Sequence, residues 1–272
     1  GLKWICRDKM DIERPHYDTP LATRFEEMDA IAVWEDAFIP WEDVFVANDL
    51  ETHNLSLPGM KFMPSLGHHV LVKNVAKTRF LFGLAHLLAE SAQVSNFINV
   101  QDRLGDILMW LNTMESLAIA AVEGAELNPE NGLYYCNEGA INAALRLYPE
   151  VYPRIREHLM QLGGGGYVSL PQEATLEVAD LAIDKYYKGA TSDAKDKVAL
   201  FRLAWDIVGS SWGGRQELYE RFFFGDSQRM KSLGYQFYDK TEATELVARI
   251  LRPPQGRERL AWPERYRSAP NN

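Results

Sequence analysis

From Pro64 onward the sequence repeats with a helical period and never settles back into a strand period, which constrains the fold more than any other feature. Leu66, Val70, Leu71, Val75, Phe80, Leu84, Leu87 and Leu88 form one broad apolar face that ends near Ser91. The same reading predicts helices over 97–127, closed by Asn128-Pro129, and over 137–162, bent around Pro149 and Pro153 and ended by four glycines. Two more follow over 193–225, capped by Ser192-Asp193, and over 228–251. Most of these runs exceed the usual mean of about 11–12 residues, as a long helical bundle requires.

The text before the bundle is different. Leu2–Arg7, Met28–Glu35 and Asp43–Val46 alternate like strands, separated by a polar, proline-bearing loop over 11–23. A sheet of so few strands has open edges and an incomplete core, so further strands are expected from sequence upstream. The fold expected is mainly α with a small β portion. It divides into a β part over 1–58, a helical bundle over 59–251 and a surface tail over 252–272.

A net charge of -9 argues against a nucleic-acid partner, whose phosphates call for clustered Lys and Arg. No apolar run approaches the roughly 20 residues of a membrane-spanning helix. Cys6 and Cys136 supply neither a disulfide framework nor metal spacing, and a reducing, cytoplasmic setting is expected. His68-His69 are adjacent on a helix and point about 100° apart, which suits packing better than metal ligation. Acidic pairs such as Glu26-Glu27 carry no acid–base spacing and read as solvated charges.

Two segments stand out. The first is Met160-Gln161-Leu162-Gly163-Gly164-Gly165-Gly166-Tyr167, in which four glycines exceed what a helix cap needs. The second is Gly209-Ser210-Ser211-Trp212-Gly213-Gly214-Arg215, where three glycines and two serines interrupt a helical pattern. Each interior glycine costs ~1 kcal/mol relative to alanine, so something requires the small residues. Hydroxyls, amides and an arginine in this arrangement suit a flavin edge or a phosphate. The competing explanation is an αL glycine cap at a helix end for the first segment and close helix crossing for the second.

Arg24-Phe25, Met28-Asp29-Ala30, Ile39-Pro40-Trp41-Glu42 and the Gly209–Asp226 run, with Gly1–Arg7, resemble the 4-hydroxyphenylacetate 3-monooxygenase family. The resemblance implies an acyl-CoA dehydrogenase-like fold, of which this chain would hold the end of the middle β domain and the C-terminal four-helix bundle. It further implies the oxygenase component of a two-component monooxygenase, in which reduced FAD (FADH2) from a separate flavin reductase and O2 hydroxylate a phenolic substrate ortho to its OH. Implied partners are the N-terminal half of the oxygenase and further copies in a homotetramer.

By this resemblance the cofactor-binding residues are Gly209, Ser210, Ser211, Trp212, Gly213, Gly214 and Arg215. Gln161, Gly164 and Gly165 join them by similarity to a Gln-x-x-Gly-Gly-x-Gly loop of acyl-CoA dehydrogenases, from which the spacing here differs by one residue. The family's phenol-activating Arg, Tyr and His set has no matching segment here, and no catalytic residue is assigned. A 4-hydroxybutyryl-CoA dehydratase would need a cluster-binding cysteine in the bundle that Cys6 and Cys136 do not supply. A non-catalytic helical interaction protein is the other alternative.

Overall fold

The structure, a computed structural model, describes residues 1–178, 181–223 and 225–251, excluding the side chains of residues 57 and 58. Two compact units are present, the first Gly1–Ser227 and the second beginning at Gln228. Within the first, β1 (Leu2–Cys6) and β2 (Ala30–Trp34) form an antiparallel pair, with α1 (Ala22–Phe25) between them in sequence. There follow α2 (Leu50–Gly59), α3 (Phe62–Ser91), α4 (Ile98–Glu123), β3 (Glu126–Asn128), β4 (Leu133–Tyr135), α5 (Glu138–Gly163), α6 (Glu173–Leu176), α7 (Ile183–Tyr187), α8 (Ala194–Val208) and α9 (Ser211–Phe222).

The helices α3, α4 and α5 occupy three positions of the bundle, and α8 followed by α9 occupies the fourth. Their apolar stripes meet in a core of Leu71, Leu81, Leu88, Ile107, Met114, Ile141, Tyr148, Tyr152, Ile155 and Leu159, all at most 1% exposed. Burying such side chains contributes ~1.5–3 kcal/mol each. That burial explains why α5 runs unbroken through Pro149 and Pro153, each worth about 3 kcal/mol against a helix interior. Between and beside the prolines, Tyr148, Val151, Tyr152 and Ile155 are fully packed.

Several boundaries differ from the sequence expectation. Helix α4 ends at Gly124 rather than at Asn128-Pro129, because Glu126–Asn128 pairs with Leu133–Tyr135 as a hairpin turning at Gly132 (φ 71°). No strand forms over 43–46, where a strand is expected: Trp41–Asp43 make a single 3-10 turn and residues 44–46 are irregular, and α2 was not signalled. The helix expected over 193–225 breaks into α8 and α9 at Gly209-Ser210. The run over 228–251 divides into α10 (Ser227–Phe237) and α11 (Thr241–Leu251). The tail expected over 252–272 lies outside the described residues.

The β1–β2 pair runs in register from Leu2↔Trp34 to Cys6↔Ala30. Successive side chains of a strand point to opposite faces, yet every residue of β1 is exposed, so both faces of the pair lie open. Trp4 is 62% and Ile5 60% exposed.

Candidate functional site

The break between α8 and α9 gathers the polar groups that the bundle otherwise excludes. Ser210 caps α9: its Oγ accepts from the Gly213 amide at 2.9 Å and donates to Asp206 O at 2.8 Å. A capping hydroxyl at this position typically contributes ~1 kcal/mol. Asp11, in the left-handed region at φ 61°, brings its carboxylate across 200 residues to accept from the amides of Ser211 (3.1 Å) and Trp212 (3.4 Å). A carboxylate at a helix N-terminus is favoured by the helix dipole.

The reverse exchange is made by Asp206 of α8. Its Oδ2 accepts from the amides of Leu21 (2.7 Å) and Ala22 (2.9 Å), which begin α1. Each side of the junction thus caps a helix on the other. Asp206 is fully buried, and that burial raises its carboxyl pKa above the ordinary value despite the amides and Ser210. On the opposite side, Arg156 of α5 donates from Nε to Ile207 O (3.0 Å) and from Nη2 to Val208 O (3.1 Å), the last carbonyls of α8, and pairs with Glu217 of α9 through Nη1. Desolvation lowers the Arg156 pKa.

This geometry sorts the seven residues of the second segment. At Gly213 an added Cβ would fall 2.4 Å from Ile207 O and 2.6 Å from Asp206 O, so the glycine is demanded by contact with the α8 backbone. At Gly209 it would strike the Trp205 ring. Gly214 is different, since a Cβ there would meet nothing within 4 Å. The amides of Ser211, Trp212, Gly213 and Gly214 all donate within the chain, the last to Ser210 O at 3.0 Å. Trp212 is buried.

Arg215 grips the β hairpin. Its Nη2 meets Asp29 at 2.6 Å and Glu27 at 3.4 Å, and its Nε meets Asp29 at 3.1 Å. Arg7 completes the network with Asp29 (2.8 Å) and Glu26 (2.7 Å). Hydrogen bonds from Arg7, then Arg215, hold the Asp29 carboxyl below its ordinary pKa. The Arg215 side chain is 9% exposed, and its Nη1 is buried with no partner among the described residues.

In the first segment, Gly163 and Gly166 are packing glycines: a Cβ would lie 2.1 Å from the Tyr167 ring and 2.6 Å from that of Phe201, respectively. Gly164 takes φ +49°, and Gly165 faces open space. Tyr167 anchors the turn, donating to Leu159 O at 2.9 Å and packing its ring 5.6 Å from Phe201 and 6.2 Å from Trp205. Trp205 also lies beneath Gly209, so one aromatic cluster on α8 joins the two glycine segments. Gln161 sits instead on the α4–α5 surface, accepting from Arg103 Nε and donating to Glu157, each at 2.6 Å.

Asp11, Asp206 and Arg156 escaped the sequence reading because nothing local marks a residue that caps a distant helix. Asp206 carried a usable signal, since it follows Arg202 by four residues on the apolar face of α8. Among the described residues no His, Cys, Asp and Glu group could hold a metal, and no helix is long and apolar enough to cross a membrane.

This helical bundle, clamped to a two-stranded sheet, has an acyl-CoA dehydrogenase-like fold. The family model described as 4-hydroxyphenylacetate 3-hydroxylase C terminal matches residues 57–252, and its N-terminal counterpart matches residues 1–46. The chain belongs to the 4-hydroxyphenylacetate 3-hydroxylase family. It is 38% identical over 253 residues to the 4-hydroxyphenylacetate 3-monooxygenase oxygenase component of Thermus thermophilus, covering 93% of this chain and 52% of that protein. To the 4-nitrophenol 2-monooxygenase oxygenase component of a Rhodococcus species it is 32% identical, covering 85% and 46%.

The crystal structure of an oxygenase component of 4-hydroxyphenylacetate 3-monooxygenase, complexed with FAD and 4-hydroxyphenylacetate, superposes with a TM-score of 0.88 at 38% identity, over 92% of this chain and 53% of that one. An archaeal 4-hydroxybutyryl-CoA dehydratase, at 17% identity and a TM-score of 0.76, shares the fold. The chain spans about half the length of the curated relatives it matches.

Proposed function

We propose that this chain is the C-terminal half of the oxygenase component of a two-component flavin-dependent aromatic hydroxylase. The observation that carries the reading is the family match across 57–252, in a chain whose sheet is open on both faces. The exposed Trp4, Ile31, Trp34, Phe38, Trp41 and Phe45 form the surface on which the N-terminal half would complete the β domain. Val72, Phe80 and Leu87 of α3 and Leu108, Met109 and Ile119 of α4 are exposed as well, and suit packing against further copies in a tetramer.

Reduced FAD would lie against the start of α9 and, from a neighbouring copy, against Gln161, Gly164 and Gly165. The residues fit in two respects: Gly214 leaves room for close approach, and Arg215 Nη1 is buried without a partner among the described residues. The remaining members of the segment, Gly209, Ser210, Ser211, Trp212 and Gly213, shape the turn through their contacts with α8 and Asp11. When bound, the flavin supplies one oxygen of O2 to the phenol carbon ortho to the hydroxyl, and a separate flavin reductase supplies its electrons. This chain's part is to orient the ring and exclude water. The groups that activate the phenol lie in the N-terminal half.

The test is product formation from 4-hydroxyphenylacetate and related phenols by the chain assembled with its N-terminal half. Hydroxylation is expected with reduced FAD and O2, and none with NADH alone or from residues 1–272 by themselves. Equal turnover in the presence and absence of a source of reduced FAD refutes the reading.

A further inference from the structure

The buried face of α9 consists of Trp212, Gly213, Gln216 and Glu220, a single apolar side chain among a glycine and two polar residues. Hydrophobic contact is non-directional, and one tryptophan does little to define where a helix lies along its neighbour. The other side of this interface carries charge. Glu220, its side chain 3% exposed, receives Lys73 Nζ on Oε2 at 2.5 Å and Lys77 Nζ on Oε1 at 2.6 Å. Gln216, one turn earlier, accepts from Lys77 at 3.0 Å.

The lysines are themselves fixed. Lys73 Nζ stands 5.4 Å from the ring centres of both Tyr148 and Tyr219, and Lys77 Nζ stands 5.2 Å from that of Tyr152. Desolvation lowers the Lys73 pKa, the neighbouring Lys77 adding to it and Glu220 opposing. Well-packed apolar side chains in place of buried ions are often neutral or stabilising, so stability alone does not account for a buried Glu220 carboxylate held by two half-buried lysines, 30% and 21% exposed on their side chains, between α3 and α9.

We propose that the Lys73–Glu220–Lys77 triad is a register lock, which fixes the axial position and rotation of α9 on α3. A slip of one residue shifts a helix by about 1.5 Å and turns it by about 100°. Such a slip parts both lysines from Glu220 at once and leaves its buried carboxylate unpaired, a penalty apolar packing does not impose. It also carries Gly213 off the Ile207 carbonyl and Arg215 off Asp29. The lock therefore sets where the Gly209–Arg215 turn and the clamp on the β hairpin fall, whether or not a flavin lies against them.

The test is the triple variant Lys73→Met/Lys77→Met/Glu220→Leu of this chain, followed by thermal melting and amide hydrogen exchange. The expected result is a Tm within about 3 °C of wild type or above it. Protection over 211–222 falls by at least ~10-fold while that of α3 and α5 holds. The pair Lys73→Arg/Lys77→Arg, which can still grip Glu220, keeps wild-type protection. Unchanged protection in the triple variant overturns the proposal. So does a triple variant that melts far below wild type, which makes the triad a stability element, or an arginine pair that loses protection as the triple variant does.

Discussion

Replacing Asp206 tests the reciprocal capping that joins the β part to the bundle. Its Oδ2 satisfies two buried amides, at Leu21 and Ala22. Asp206→Ala leaves both without an acceptor, at ~1–3 kcal/mol each, so a loss of about 2–6 kcal/mol is expected. That is a large share of the ~5–15 kcal/mol by which domains are stable. Asp206→Asn keeps an acceptor oxygen for the amides and removes the buried charge, while its NH2 takes the place of an Oδ1 that has no partner. The asparagine variant should therefore lose no more than about half as much as alanine.

The pH dependence has a definite sign. Burial raises the Asp206 pKa above its ordinary value of 3.8 in the folded state. The stability this group contributes is therefore fully present below pH 3.8 and is lost as pH rises through the raised folded value. Asparagine does not titrate, so its stability relative to wild type should improve with rising pH across that window and level off above it. Urea unfolding of the three proteins, followed by far-UV circular dichroism across that range, reads both effects. Equal losses for alanine and asparagine, or an alanine loss below ~1 kcal/mol, would show that the amides are not held by this carboxylate in the way described.

Gly213→Ala should cost upwards of ~1–3 kcal/mol, because its Cβ would lie 2.4 Å from a backbone carbonyl, whereas Gly214→Ala should be neutral or stabilising by up to ~1 kcal/mol. Thermal melting separates them, and equal shifts contradict the sorting of the two glycines. In the assembled oxygenase, Gly214→Val should weaken reduced FAD by about tenfold, a change of ~1.4 kcal/mol, measured by titration calorimetry; unchanged affinity removes Gly214 from the flavin surface. Arg215→Ala should loosen the β hairpin at a cost of about 1–2 kcal/mol, discounted because Asp29 is 60% exposed on its side chain. Faster proteolysis within residues 1–46 than in the bundle is the expected sign, and no change in cleavage argues against the clamp.

The long helices were legible because their evidence is local. The stripe from Leu66 to Leu88 repeats within a single element, and the structure places its buried members inside α3. The signal for a boundary is weaker wherever tertiary contacts compete with it. Gly124 stops α4 ahead of Asn128-Pro129 because the hairpin draws the following residues into β pairing. The glycine segments were also visible as anomalies, but composition could not say which glycine serves packing. Gly213 and Gly214 are neighbours with equal propensity, and they differ only in whether the backbone of α8 lies in front of them.

By itself, then, the sequence determined a helical bundle preceded by a small sheet, the two glycine turns, and through its motifs the family. Periodicity, breaking residues and short motifs are properties of neighbouring residues, and they survive without a fold. The tertiary structure alone decided that Asp11 caps α9 and Asp206 caps α1, that Arg156 closes α8, that Arg215 holds Asp29, and that Glu220 is shared by two lysines. These partners lie between 51 and 200 residues apart along the chain. Hydrogen bonds and ion pairs gain strength only where packing has excluded water, so their meaning appears only once the bundle has closed.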